Sequence, residues 1–475
     1  MSKNAHWVIP GHVEARDGRL LFAGHDAAAL LAAHGSPLYL LSAKRIIDTV
    51  QRFKATAAAA PLPVTICYAS KACSAIAVLK LLNDEAISIE VNSAGELFRA
   101  KTAGFPPDRI IFNGVAKSAE ELLSALDPPI KAINIDSIFE LKRLVSIARG
   151  VGKVARISLR IVPNVQSSTS AGNQTGAEST KFGILLRELP EAMTLLRDSA
   201  DCLVLVGIHA HVGSQIGSVA PYQKAAQMLV SVKAEVEAAF GVELEHLNIG
   251  GGFPIPYMRG ANETPQDDIF APAIDMDGVV QDVVASLAKA LPGKTEIIVE
   301  PGRSLVGDAG ILLSTVENIK ERLSEPWLVL DAGYNVLVES YTYKWYYHAL
   351  SATKLNEDEK PFRVAGPLCD NGDAFFDVEG ETTVRKLIEA EPTLEANRAL
   401  LESTLIRMPP TRSLAASTGP GDCIAFLDCG AYVLDQMTPN NSRQRPECGL
   451  IDLEGNYRTL RGRDSLEDLL FKEVL

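Results

Sequence analysis

The sequence contains no apolar run long enough to span a bilayer, and its N-terminus lacks the basic-then-apolar pattern of a secretory signal. It also lacks a long basic run. Its 46 Lys and Arg stand against 59 Asp and Glu, a formal charge of −13. That balance argues against a general binder of nucleic acid or acidic membranes. Its 7 cysteines include no C-x-x-C pair. An odd, scattered set fits neither a disulfide framework nor a zinc site, so reduced thiols in the cytoplasm are expected. No G-x-G-x-x-G opens a helix after the first strand, which counts against an open dinucleotide-binding sheet.

What is present is a long globular chain of 475 residues, 47% apolar and 22% charged, enough to bury a large core. Between residues 41 and 303 one unit recurs: a short β-branched run, a polar turn, then an amphipathic stretch. The runs are 64–69, 87–91, 109–113, 132–136, 155–161, 203–209, 246–249 and 296–299. Stretches such as 74–83, 137–149, 221–240 and 279–291 carry apolar residues at three- and four-residue spacing and read as helices. Eight strands alternating with helices are the pattern of a closed (β/α)8 barrel of the TIM type within an α/β fold, an open doubly wound sheet being the alternative. After residue 303 the runs 311–316, 327–331, 362–364, 423–426 and 449–452 read as strands without regular helices between them. The expected organisation is therefore an N-terminal segment, 1–40, joining a mainly β domain of sandwich or barrel type over 304–475, with the barrel over 41–303. Residues 166–178 and 262–268 read as polar, flexible inserts.

Polar residues gather at the predicted C-terminal ends of the eight runs: Lys71, Glu90 with Asn92, Asn113, Asp136, Arg160, His209 with His211, Gly250-Gly251-Gly252, and Glu300 with Arg303. In a barrel these ends open on one face, where barrel enzymes build their sites. Lys71 follows the first run after a single Ser70. An amine held there loses solvation, which favours the neutral nucleophile that forms Schiff bases, although lysines at strand ends also simply mark the solvent boundary. His209 and His211 lie two apart and point one way along an extended strand. Without a third ligand no metal site is expected, and a flat imidazole packed on a cofactor ring is the better use. The three glycines let backbone N–H groups approach a phosphate, or form an ordinary turn. Glu300 and Arg303 read as a pyridine partner and an anion clamp, or as a structural ion pair. In the β domain, Cys369 within Gly366–Asp373 is either a proton donor or an inert buried thiol.

In order, Tyr68-Ala69-Ser70-Lys71, Glu90-Val91-Asn92-Ser93-Ala94-Gly95-Glu96, His211-Val212-Gly213-Ser214-Gln215, Gly250 to Pro254, Glu300 to Arg303, Gly366 to Asp373 and Gly430-Ala431-Tyr432 resemble the fold type III decarboxylases dependent on pyridoxal 5'-phosphate (PLP). This family holds the diaminopimelate, ornithine and arginine decarboxylases. The resemblance covers nearly the whole chain. It implies a PLP-binding barrel, a β domain and a homodimer with shared active sites. Lys71 would carry PLP as a Schiff base, His211 would stack on its ring, and Glu300 would pair with the pyridine nitrogen. Glu90, Ser214, Gly251, Gly252, Gly302, Arg303 and Tyr432 would complete the cofactor site, Arg303 and Tyr432 also facing the substrate. Cys369 and Asp370 would come from the partner subunit, the thiol as proton donor and the carboxylate toward the substrate side chain.

The departures from the family pattern bear on the substrate. Glu90 stands where the family usually has Asp. Cys369 is followed by Asp370, as in ornithine decarboxylases, rather than by the Glu of diaminopimelate enzymes. Where those enzymes carry an Arg for the distal carboxylate, this chain has Glu339, with Tyr343 after it. A carboxylate there favours a distal ammonium and opposes a distal carboxylate. The stretch 331–347 and the tail 430–475 look most similar to the D-ornithine/D-lysine decarboxylase branch, so a D-ornithine- or D-lysine-like substrate is expected. The alternatives are a diaminopimelate decarboxylase making L-lysine, a decarboxylase of a siderophore or antibiotic precursor, and a non-catalytic regulatory homologue. The last should have lost its lysine, thiol or glycines, and none is missing.

Overall fold

The computed structural model describes residues 6–165, 175–259, 268–291, 295–322 and 325–474. Most of the first predicted polar insert, and of the second, lies outside the described residues. The chain divides into two compact units. One comprises Ile47–Ile255 and Pro272–Leu305, the other Met1–Ile46, Pro256–Ala271 and Val306–Leu475.

The first unit contains a closed barrel of eight parallel strands in chain order: Val64–Ala69, Ser88–Val91, Ile110–Phe112, Ala132–Ile135, Ala155–Arg160, Leu203–His209, His246–Asn248 and Glu296–Val299. The ring shuts where Ile297, Ile298 and Val299 of the last strand pair with Val64, Thr65 and Ile66 of the first. Four of these strands are buried at every residue, because a parallel sheet wrapped by helices has no solvent face. That explains why the runs read as continuously apolar rather than alternating. The following helices start at side-chain caps: Ser93 accepts from Glu96 N–H, Ser137 from Glu140 N–H, and Ser118 forms a capping box with Glu121. Inside the barrel Gly207 makes room for His246. A Cβ on Gly207 would run into the imidazole, which is fully buried and 2.9 Å from Ser158 Oγ.

The second unit is built on the long strand Gly310–Lys320. It pairs antiparallel with Leu38–Ser42, Cys423–Phe426 and Trp327–Leu330. Leu38–Ser42 also runs parallel to Glu447–Ile451. Alternate residues Leu38 and Leu40, Ile311 and Leu313, and Cys423 and Ala425 enter one core with Leu20 and Phe22. The residues between them on the opposite face, such as Tyr39, Leu312 and Ile424, are buried as well, so the sheet is covered on both faces here. The expectation of no regular helices in this region is corrected. Val378–Ala390, capped by Asp377, and Arg398–Leu405 are helical. The second has no buried residue, so no core-facing stripe announced it.

Candidate active site

The barrel places Lys71, Glu90, His211, Ser214, Gly251, Gly252, Glu300, Gly302 and Arg303 at or just beyond the C-terminal strand ends, on the rim that such ends share. Lys71 sits in the 3-10 turn Ser70–Ala72 that follows the first strand. It is exposed, which corrects the expectation of a desolvated amine: the strand ends two residues before it, at Ala69, although its charge still reaches Glu90 and His211. First and last strand ends are stitched together here. Ala69 N–H donates to Pro301 O at 2.9 Å, and a Cβ on Gly302 would lie 3.1 Å from Ala72 Cβ. The turn is held by Glu96, whose Oε2 accepts from Ser70 Oγ and Asn92 N–H, each at 2.7 Å.

Beneath this rim two carboxylates share one amide. Asn113 Nδ2 donates to Glu90 Oε1 at 2.7 Å and to both Glu300 oxygens at 3.2 Å. Asn248 Nδ2 donates to Glu300 Oε1 at 2.7 Å, and Asn134 Nδ2 to Asn113 Oδ1 at 2.6 Å. His209 Nε2 lies 3.4 Å from Glu300 Oε2. Glu90 Oε2 is buried and has no hydrogen-bond partner among the described residues. Burial pushes both carboxyls upward. At Glu300 this is outweighed by His209, then by His211 and the Asn248 amide, and the group stays below the ordinary carboxylate range. At Glu90 burial wins, with Lys71 pulling down and Glu300 pushing up, and the pKa rises to about 7. The site therefore holds one ionised carboxylate beside one that readily keeps a proton.

His209 ends its strand and is buried, whereas His211 lies beyond the strand and is partly exposed. The two histidines are thus not equivalent along one strand. Burial, then Lys71 and Arg160, pushes His211 well below the ordinary imidazole range. The neutral ring accepts Gly251 N–H on Nδ1 at 3.1 Å. The three glycines have no room for side chains. A Cβ on Gly250 would lie 2.6 Å from Ala210 O, one on Gly251 would overlap Glu300 O, and one on Gly252 would overlap Gly213 O. Gly250 and Gly252 have φ of +70° and +92°, which L side chains rarely adopt. Arg303 is buried and opens the helix Arg303–Val306. Arg160, also buried, lies 3.5 Å from Asp136. Ser214 is partly exposed. An ionised Glu300, a neutral flat imidazole, a side-chain-free glycine turn and a lysine above them suit a protonated pyridine that carries a phosphate. PLP fits this donor set. Asn248, which donates to Glu300, and Asn134, which donates to Asn113, escaped sequence reasoning. Their signal was a polar residue inside an otherwise apolar strand.

The remaining named residues lie in the other unit. Glu339 is buried in the first turn of the short helix Val338–Thr342, and Tyr343 follows it, partly exposed. Cys369 is exposed while the other six cysteines are buried, which corrects the reading of Cys369 as a buried thiol. Asp370 is also exposed. Tyr432 is partly exposed with φ +58°, a strained value for a non-glycine residue.

Residues 45–307 match the family described as pyridoxal-dependent decarboxylase, pyridoxal binding domain. A diaminopimelate decarboxylase of Aquifex aeolicus is 35% identical, covering 96% of each chain. One of Methanocaldococcus jannaschii is 31% identical over 98% of this chain and 97% of its own. The crystal structure of the M. jannaschii diaminopimelate decarboxylase with L-lysine superimposes with a TM-score of 0.80 at 29% identity, covering 98% of each chain.

Proposed function

Since this chain belongs to the family of pyridoxal-dependent decarboxylases, we propose that it decarboxylates a free diamino acid whose distal end is an ammonium, of the D-ornithine or D-lysine type, to a diamine and CO2. The family makes it a PLP-dependent carboxy-lyase acting on a diamino acid. Bound PLP supplies the electron sink that takes up the charge left when CO2 departs. In the proposed assignment, Lys71 anchors the cofactor covalently, and His211 lies against its ring. Glu300 faces the pyridine nitrogen. Ser214, Gly251, Gly252, Gly302, Arg303 and Tyr432 hold the phosphate and the substrate's α-carboxylate end. Glu90 stands beside Lys71 as a proton-holding neighbour. Cys369, the exposed thiol, returns a proton to the α-carbon, and Asp370 faces the substrate side chain. We propose that both come from the partner subunit of a homodimer, and that the enzyme works in the cytoplasm.

The observation that carries the distal-ammonium reading is Glu339. It is 3% exposed. A buried carboxylate facing a second carboxylate is strongly unfavourable, whereas facing an ammonium it makes a charge-assisted bond. A second reading, meso-diaminopimelate decarboxylation to L-lysine, is favoured by the names of the relatives that are 31 to 35% identical. CO2 release from D- and L-ornithine, D- and L-lysine and meso-diaminopimelate separates the two. The first reading expects a D-diamino acid to be fastest. It also expects Glu339→Arg to move the preference toward meso-diaminopimelate. If meso-diaminopimelate is much the fastest for the wild type, the second reading holds. If Glu339→Arg leaves the preference unchanged, Glu339 does not recognise the substrate.

A further inference from the structure

Two segments of the β unit, 333–334 and 440–443, converge on the Cys369-Asp370 turn. The Asp373 carboxylate accepts Tyr334 N–H and Leu368 N–H, each at 2.8 Å. It fills the space next to Gly333 and Gly366, where any Cβ would run into it. This clamps the start of segment 333–334 to the turn. Tyr334 Oη then donates to Asp370 Oδ2 at 2.8 Å and accepts from Asn440 Nδ2 at 2.8 Å. Gly372 N–H donates to Asp370 Oδ1 at 2.8 Å. Cys369 N–H donates to Asn441 Oδ1 at 2.7 Å, and Arg443 donates to Pro367 O at 3.2 Å. The Tyr334 ring packs on Tyr341 at 4.7 Å between centroids.

A carboxylate has about four lone-pair sites. Two on Asp370 are taken, one on each oxygen, by donors fixed to different parts of the fold. An exposed aspartate otherwise samples several rotamers, and it loses that freedom on grasping a ligand. Here the rotamer is chosen in advance, and the free lone pairs point to solvent in one arrangement. An ammonium, with three N–H donors and no acceptor, matches such a surface, whereas a carboxylate does not.

We propose that Tyr334, braced by Asn440, is a positioning residue for substrate specificity: it presets the Asp370 carboxylate to receive the distal ammonium of a diamino acid. This inference rests on the distal-ammonium reading above. Asp373 and its two flanking glycines set the height of Tyr334, so they serve the same arrangement one step further back.

The test is steady-state kinetics of the PLP-saturated enzyme on the fastest diamino acid of the panel, with wild type, Tyr334→Phe, Asp370→Asn and the double variant. Tyr334→Phe keeps the ring against Tyr341 and removes only the hydroxyl. Expected is a rise in KM of about ten-fold, the scale of one hydrogen bond to a charged group, with kcat falling much less than KM rises. Asp370→Asn raises KM at least as much. The double variant should be no worse than Asp370→Asn alone, because Tyr334 acts through Asp370. Asn440→Ala, one bond further out, gives a smaller rise in KM and serves if Tyr334→Phe fails to fold. A wild-type KM in Tyr334→Phe, with a raised KM in Asp370→Asn, overturns the role of Tyr334 and leaves the substrate reading standing. Fully additive effects in the double variant also overturn it. A wild-type KM in Asp370→Asn removes Asp370 from the substrate, and both the assignment of Asp370 and this inference fall together.

Discussion

Replacing Glu90 by Gln isolates the buried carboxyl pair. Glu90 is fully buried, its Oε1 is held by Asn113, and its Oε2 has no hydrogen-bond partner among the described residues. Its pKa rises from the ordinary carboxyl value of 4.5 to about 7. Between those values the folded protein keeps a proton that the unfolded chain has released. Stability from this group is therefore full below the unfolded pKa and is lost as pH rises through the folded pKa, by about 3 kcal/mol in all. Glutamine imitates the protonated carboxyl: its oxygen still accepts from Asn113, and nothing remains to ionise. Lys71, Glu300 and Glu96 set this shift through the charge on Glu90, and Arg160 and Cys67 feel that charge in turn; the neutral Gln removes these interactions, so they belong to the difference that is measured. The variant should be more stable than wild type by about 1 kcal/mol at pH 5 and by about 3 kcal/mol at pH 8.5. If the barrel melts as one unit, the second figure is a Tm gap of about 6 °C. Thermal unfolding of the PLP-saturated proteins across this range measures it. A gap that stays constant with pH, or a variant less stable than wild type at pH 8.5, refutes the assignment of a proton to Glu90.

Other substitutions test the remaining parts. Lys71→Ala should abolish decarboxylation and the absorbance band near 420 nm, about where lysine-bound PLP absorbs; retention of the band would place the cofactor on another residue. Gly207→Ala should drive a methyl into the buried His246 ring and destabilise the barrel by about 2 kcal/mol, the usual scale of overpacking, visible as a lower denaturation midpoint with little change in KM. Asn113→Ala should leave Glu90 Oε1 and the Asn134 amide without their present partner, lowering stability by about 2 kcal/mol or more and shifting the PLP absorbance spectrum as Glu300 loses a donor. An unchanged spectrum would detach Asn113 from the cofactor.

The barrel was legible because it is repetitive. Eight apolar runs at regular spacing needed no long-range information, and each lies within a residue or two of an observed strand. The helix Arg398–Leu405 was not legible. Arg398–Leu405 buries no residue, and the periodicity that reveals a helix comes from a buried face. The exposure of Lys71 is illegible in the sequence for a related reason. A lysine two residues past a strand lies in whatever turn follows, and only the fold shows that in the 3-10 turn Ser70–Ala72 it is exposed. Cys369 shows the same limit in reverse: thiols are usually buried, and only the fold shows this one exposed.

By itself the sequence determined the alternation of strands and helices, the residue types at the strand ends, and the presence of a carboxylate at Glu339. These are properties of neighbours along the chain, set by periodicity and by chemistry that needs no partner. Only the tertiary structure decided that Asn113 bridges Glu90 and Glu300, which lie 210 positions apart. Closing the ring brings the second and last strand ends under one amide, and burial then separates the two carboxyls into one that ionises and one that holds a proton. The Tyr334–Asp370–Asn440 chain arose the same way, from three turns that meet only after the second unit has folded. Spacing along a chain cannot encode such meetings, because they depend on where every intervening strand has gone.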